Sequence, residues 1–543
     1  MAEPAELSPR ARGWLRYVHR KATAALDAAD DWSSGGRPAP WWDDRSTPPV
    51  LNFPRFDLSE SSYAIALMAD TTPAWREVYA AVLDGLITRH VTHWAARDWL
   101  TMLGPDPARR DYPEDLVRLW LPPGRAGSYD MPGWTANGVP PWGLQPDPVG
   151  ADGNLFFKGW LNLLLGLYRY VSGDDRWNST FLVTGLDDAE FAWSHAGVNA
   201  LLVQQWTARP EGPHCENTKV WPYCLAAAGL GLRMHDVLRG TGGHAVFGSW
   251  LEIARERFMS VSPGGHVEWM ALYYDPLIDY VHRAGPTAGL SVALYVLPQD
   301  ARLAETLYRT AVERIGWDDP GREVRTLPDP RFLCLGVVLA RELGDDVTYA
   351  RLSAYVEEHF EPAFFGPGLA EFGWRFGFGE PWPRGQLAAL LAMLDAGPPG
   401  GWARLFTAPD LAKFGQPTVV GVDYPSVGLS RARFDPTAGV LELRTYAATP
   451  AAAGAPTTFR VENLPDAGAL RVRCDGAEFG AWSVVGPGTV ELRLDIGDHA
   501  LTLRTGPARG GAGAATASRA PAITPAPADL RAAAEAPGSC PCC

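Results

Sequence analysis

Leu155-Phe156-Phe157-Lys158-Gly159-Trp160-Leu161-Asn162-Leu163-Leu164-Leu165-Gly166-Leu167-Tyr168-Arg169-Tyr170-Val171 is apolar on almost every side and reads as a buried helix. It is one of a series. Helical periodicity returns at Trp75 to His90, Asp187 to Thr207, Tyr223 to Leu238, Gly289 to Leu297, Ala301 to Ile315, Phe332 to Leu343 and Gly385 to Leu394. Pro- and Gly-rich connections separate the runs, so residues 57 to 396 are expected to be all-helical. No short-period solenoid repeat is present, and helical hairpins of unequal length can instead close into an (α/α) barrel whose helix ends converge on one cavity. The stretch from Leu121 to Gly153, with repeated Pro, Gly and Trp, is too long for a simple connection and reads as a cover over a site.

From about residue 411 the period changes from helical to alternating. Short strands are expected at Val440 to Tyr446, Thr457 to Val461, Ala469 to Cys474, Trp482 to Val485, Thr489 to Leu494 and His499 to Arg504, with Gly, Asp and Pro at the turns. The resulting division is an N-terminal helical extension and linker over 1–50, a catalytic helical domain over 51–410, a small antiparallel β domain over 411–507, and an Ala/Gly/Pro-rich tail over 508–543 that lacks apolar anchors.

Composition excludes several classes of partner. A chain of 543 residues, 46% of them hydrophobic, can bury a large core, and its formal charge of −14 offers no basic footprint for nucleic acid or an anionic membrane. The N-terminus has no secretory apolar core, and no run reaches the ~18 to 20 apolar residues that span a bilayer, so a cytoplasmic protein is expected. A homo-oligomer is compatible with these features and not required by them. Seven cysteines in so long a chain are not a disulfide scaffold. Cys334 and Cys474 read as structural thiols, and Cys540, Cys542 and Cys543 close the tail in an atypical pattern for lipidation. The 22 Trp, 20 Phe and 17 Tyr exceed what core packing needs, which leaves some to line a pocket.

Chemistry concentrates in Cys215-Glu216-Asn217-Thr218-Lys219-Val220-Trp221-Pro222-Tyr223-Cys224. Pro222 suits the first turn of the helix starting near Tyr223, which puts Cys224 at the positive helix end, where a thiol ionises more readily and Lys219 can reinforce the effect. Cys215 lies in the preceding loop. The two thiols are an acid/base pair or a short-loop disulfide, and the residues alone leave both open. In Phe56-Asp57-Leu58-Ser59-Glu60-Ser61-Ser62-Tyr63, Asp57 reads as the N-cap of a capping box closed by Glu60, or as a carboxyl sharing a proton with Tyr63 and an alcohol.

The Asp57/Tyr63 separation of six, the Cys215-Glu216 and Cys224 spacing of nine, and Asn154-Leu155-Phe156-Phe157-Lys158-Gly159-Trp160 together resemble the linalool dehydratase/isomerase family over roughly residues 50 to 400. The resemblance implies an (α/α)6 barrel, a mainly α fold with the antiparallel β region appended, and cofactor-independent acid/base dehydration, hydration or allylic isomerisation of an isoprenoid alcohol. It further implies Asp57, Tyr63, Cys215 and Cys224 as catalytic residues, with Phe156, Phe157, Trp160, Glu216, Trp221, Tyr223, Tyr273 and Tyr274 around the substrate. The chain departs from the family pattern where Trp160 follows Gly159 in place of a His. Indole donates one hydrogen bond and is no base near neutral pH, so the proton relay cannot be carried over intact. Asp57 assisted by Tyr63 is then the expected acid, Cys215 or Cys224 the deprotonating partner, and Trp160 a wall for the cation.

Other readings remain. The same site could cyclise a longer isoprenoid, or bind one without turnover. A Trp-rich helical barrel with Glu268, Asp275, Glu371 or Glu380 as acids could cleave glycosidic bonds. Asp27-Ala28-Ala29-Asp30-Asp31 reads as a solvated helix end, His90 and His93 as packing or surface residues, and neither a P-loop nor a dinucleotide fingerprint occurs.

Overall fold

The computed structural model describes residues 6–27, 54–95, 146–185, 188–215, 219–276, 279–327, 330–376 and 385–505. Glu216, Glu380, the end of the Asp27 motif, most of the 121–153 stretch and the tail after 507 lie outside these residues, as does the side chain of His93.

In chain order the helices are α1 (Pro9–Thr23), α2 (Pro54–Thr71), α3 (Glu77–Arg89), α4 (Leu155–Ser172), α5 (His195–Ala208), α6 (Pro222–Arg239), α7 (Ala245–Ile253), α8 (Gly289–Val296), α9 (Ala301–Ile315), α10 (Arg331–Leu343), α11 (Asp346–His359), α12 (Gly385–Ala396) and α13 (Gly401–Thr407). Their ends follow local chemistry. Ser8, Ser194, Asp300 and Asp345 cap α1, α5, α9 and α11 by accepting a backbone N–H, and Pro222 occupies the first position of α6.

The even-numbered helices pack in a cycle. α2 lies on α4, α4 on α6, α6 on α8, α8 on α10, α10 on α12, and α12 returns to α2. The closest of these approaches, α4 on α6, depends on Gly231, where a side chain would collide with the backbone of Leu163. The odd-numbered helices back the cycle: α3 lies on α2 and α4, α5 on α4 and α6, α9 on α8, and α11 on α10. α1 packs on α3 and α12, so the N-terminal helix joins the helical body. Enclosed on both sides, α2, α4 and α12 expose almost nothing, and the polar residues that α2 carries, among them Asp57 and Glu60, are buried with the rest.

Three short antiparallel sheets interrupt the helical region: β1 (Phe181–Thr184) with β2 (Glu190–Trp193); β3 (Met259–Val261), β4 (Val267–Asp275) and β5 (Tyr280–Ala284); and β6 (Pro362–Phe365) with β7 (Glu371–Trp374). The periodicity reading placed a helix from Asp187, but α5 starts at His195 because Glu190 to Trp193 pair in register with Thr184 to Phe181. After α13 the chain turns to strands β8 (Thr418–Val420), β9 (Val427–Asp435), β10 (Val440–Ala447), β11 (Pro456–Glu462), β12 (Arg471–Cys474), β13 (Ala477–Glu478), β14 (Trp482–Gly486), β15 (Thr489–Asp495) and β16 (Ala500–Arg504). They form two antiparallel sheets, ordered β13-β12-β16-β10-β9 and β14-β15-β11-β8.

The β region is tied to the helices through backbone bonds from Ala74 N–H to Ala432 O (3.0 Å) and from Val419 N–H to Ala74 O (2.7 Å). Cys474 bonds the Asp475 carboxylate, which also takes Nδ1 of His499 at 2.9 Å and so joins the β12–β13 turn to β16. Among the described residues, no helix is long and apolar enough to cross a membrane.

Candidate active site

Inside the helix cycle, α2 presents Phe56, Glu60 and Tyr63, whose spacing of three to four residues aligns them on one face, with Asp57 next to Phe56 in the chain; all four lie in the first turns of the helix. All four are buried, with Glu60 1% exposed and Tyr63 fully enclosed. The capping-box expectation fails here. α2 begins at Pro54, which leaves Asp57 inside the first turn, and the Glu60 carboxylate turns inward to tyrosines of other helices. A Cβ on Gly385, the first residue of α12, would coincide with the carboxylate of Asp57, so only glycine fits there.

A chain of hydrogen bonds crosses the centre. Trp160 Nε1–H donates to the Tyr63 hydroxyl (3.0 Å), Tyr63 donates to the Tyr295 hydroxyl (3.1 Å), and Tyr295 donates to Glu60 Oε1 (2.8 Å). Tyr223 donates to the same oxygen at 3.0 Å. Burial pushes Glu60 up to about 7, opposed by the hydroxyls of Tyr295 and Tyr223, by the Arg331 guanidinium and by Gln386. Burial likewise holds Tyr63, Tyr223 and Tyr295 well above the ordinary phenol range, so these are neutral hydroxyls at physiological pH.

Aromatic rings enclose this chain. Phe156 stacks on Trp160 with centroids 4.1 Å apart, Phe56 meets Phe156 edge-on at 4.5 Å, and Tyr223 lies 5.1 Å from Trp160. Tyr63 rests on Trp402 of α13 at 4.6 Å. Faces of this kind attract positive charge. Phe157, one residue on, points elsewhere and packs on His90, which is itself buried against Ser59.

Cys215 sits at the start of α4, where its sulfur accepts the Phe156 N–H at 3.0 Å. A sulfur on the exposed amides of a helix N-terminus is in a setting that favours thiolate. Cys224, the third residue of α6, is buried and follows Tyr223, and no disulfide joins the two thiols. The segment between them is held by β4. Val220 exchanges two backbone bonds with Tyr274 (2.8 Å each), the Cys215 N–H bonds Lys219 O (2.7 Å), and the fully buried Lys219 ammonium pairs with Asp275 at 3.5 Å. The Lys219 charge, expected to assist Cys224, is thus directed to Asp275. Lys158, also enclosed, anchors the chain before α4 through Ala151 O and Gln205, and burial lowers it to about 7. Trp221 lies 5.2 Å from Tyr273, whereas the Tyr274 hydroxyl bonds Asp279 and its ring carries Arg257.

The structure therefore gathers Tyr63, Phe156, Trp160 and Tyr223 into one cluster. Cys215 reaches it through Phe156, Asp57 lies against Gly385 at the start of α12, and Cys224 follows Tyr223 on α6. Phe157 and Tyr274 face away. The acids of the glycosidic reading do not converge: Glu268 is exposed, Asp275 is neutralised by Lys219, and Glu371 is bound at both oxygens by Arg20.

The sequence model of the linalool dehydratase/isomerase family matches residues 138–370. Over that span the chain is similar to the linalool dehydratase/isomerase family. The matched residues include the Phe156–Trp160 turn, both cysteines, Tyr223, Tyr295 and Arg331, while α2 and α12 lie outside them. The match supports a dehydratase/isomerase-like enzyme in terpenoid metabolism. Among solved structures, the endoglucanase CelQ from Clostridium thermocellum complexed with cellotriose is 9% identical, with 85% of this chain and 84% of that one covered and a TM-score of 0.31. Ara127N-Se, a GH127 β-L-arabinofuranosidase from Geobacillus stearothermophilus T6, is 10% identical over 90% of this chain and 75% of that one, with a TM-score of 0.23.

Sequence reasoning missed Glu60, Tyr295, Arg331, Gln386 and Trp402. Glu60 carried a signal, an acid on an otherwise uncharged helix face between Asp57 and Tyr63, but a local capping role explained it equally well. Tyr295 sits in an apolar run and gave no sign of its partner.

Proposed function

We propose that this chain is a cofactor-independent enzyme that dehydrates or isomerises an isoprenoid alcohol, with the six even-numbered helices forming the inner ring of an (α/α)6 barrel. The reading rests on one observation above all: Cys215, inside the family-matched span, seats its sulfur on the amide of Phe156, whose ring stacks on Trp160 in the aromatic cluster. The cycle of helix contacts supports the barrel.

In this reading Asp57 protonates the leaving hydroxyl, water departs with the carbon–oxygen electron pair, and the faces of Trp160, Phe156 and Tyr223 hold the allylic cation. A thiolate at Cys215 or Cys224 then removes a proton from the carbon skeleton to give the alkene. The alcohol loses one water in total.

The experiment is product analysis with a panel of monoterpenoid, sesquiterpenoid and longer allylic alcohols in the presence of a chelator. Dehydrated or transposed products are expected. Conversion of a glycan with none of the alcohols would select the glycosidic reading, and alcohol binding with no conversion would reduce the protein to a carrier.

A further inference from the structure

We propose that Glu60 and Tyr223 form a second proton-handling pair in this site, one that takes the proton from the water re-entering the allylic cation and so makes isomerisation possible alongside dehydration. The inference rests on the acid/base reading above and adds a carboxyl that reading leaves unused.

Directionality carries the argument. An indole N–H can only donate, so Trp160 commits the Tyr63 oxygen to accepting and the Tyr63 proton to Tyr295, which in turn commits the Tyr295 proton to Glu60. Tyr295 is thereby locked as a donor to the carboxylate. Tyr223 bonds the same Oε1 without any such lock, is less enclosed than Tyr63 or Tyr295, and lies against the Trp160 face that holds the cation. It is the outlet of the network. Trp160, which can only donate, thus polarises the chain toward Glu60.

The step balances. As a water oxygen donates a lone pair to the far allylic carbon, its proton passes to the Tyr223 oxygen, the Tyr223 proton passes to Glu60 Oε1, and a neutral transposed alcohol remains. Asp57, having given its proton to the departing oxygen, is then a carboxylate. Between turnovers one proton must return from Glu60 to Asp57, three residues earlier on the same helix, which resets both carboxyls. Groups facing Glu60 are Tyr223 on α6, Tyr295 on α8 with Tyr63 bonded behind it, Arg331 on α10 and Gln386 on α12; Asp57 precedes Glu60 by three residues and lies against Gly385, and His90 lies beyond Ser59. Glu60 must be ionised to accept, so isomerisation is expected to rise as pH increases through about 7.

Two readouts test this. The first is the infrared carbonyl band of a protonated carboxyl in the substrate-free protein. A band that vanishes near pH 7 and is missing in Glu60→Gln is expected, and Tyr295→Phe, which removes a donor to the carboxylate, should move its midpoint upward. The second is the ratio of transposed alcohol to alkene, expected to fall at least tenfold in Glu60→Gln and in Tyr223→Phe, the latter keeping the ring face and losing only the hydroxyl. Should Glu60→Gln fail to fold, the two tyrosine variants carry both readouts. A Glu60 that shows no titrating band, or a product ratio unchanged in Tyr223→Phe, overturns the inference alone. A wild-type protein that converts no alcohol overturns the functional reading and this use of Glu60 with it, even if the band titrates.

Discussion

Gly385 has no chemistry of its own, yet its missing side chain is what lets the Asp57 carboxylate lie against the start of α12. Gly385→Ala is expected to displace that carboxylate and to destabilise the protein by about 1 to 3 kcal/mol, the usual range for overpacking a filled interior. Thermal unfolding reads the destabilisation and turnover the displacement. A variant with unchanged melting and activity would show that the carboxylate does not depend on this contact. At this scale spacing and chemistry singled out Cys215 and Trp160, which meet on either side of Phe156 in the fold. The sequence was illegible wherever a role depends on a partner far along the chain. Asp57 and Glu60 fit a local cap by spacing, and only the arrival of Tyr223 and Tyr295, 163 and 235 residues from Glu60, turns the glutamate inward.

Among the elements, β4 does the most to shape the site without lining its centre. It pairs with Val220 and supplies Asp275 to Lys219, and so fixes the loop whose other end carries Cys215. Removing one partner of a buried ion pair leaves an uncompensated charge, which costs about 3 to 5 kcal/mol. Lys219→Met is therefore expected to lower stability by that order and to expose Cys215 to alkylating reagents faster than in the wild type. Unaltered unfolding and unaltered alkylation would place the loop's support elsewhere. Most of the expected helices were readable from their apolar periods to within a few residues, Leu155 to Val171 against the observed Leu155–Ser172 among them, whereas α5 starts eight residues after the expected Asp187 and the helices Ala245–Ile253 and Asp346–His359 were not read. The short sheets were not, because strands of four residues such as Phe181–Thr184 carry too little alternation to stand out from the helical runs around them.

For the molecule as a whole, the cycle from α2 through the even-numbered helices and back to α2 brings residues from both ends of the helical region together. Phe56 and Trp402, more than 300 positions apart in the chain, both touch the ring of residues around Tyr63 and Trp160. Sequence periodicity announces helices but contains no term for closure, which is why the barrel entered first as an implication of resemblance. The central claim is that the carboxyl of Asp57 and the sulfur of Cys215 serve one metal-free reaction in that enclosure. It is tested most directly by measuring conversion of an allylic isoprenoid alcohol, in chelator, by the wild type and by folded Asp57→Asn and Cys215→Ala proteins. A loss of about 100-fold or more is expected in each variant, the scale of a missing acid or base. Full turnover by either would contradict the account.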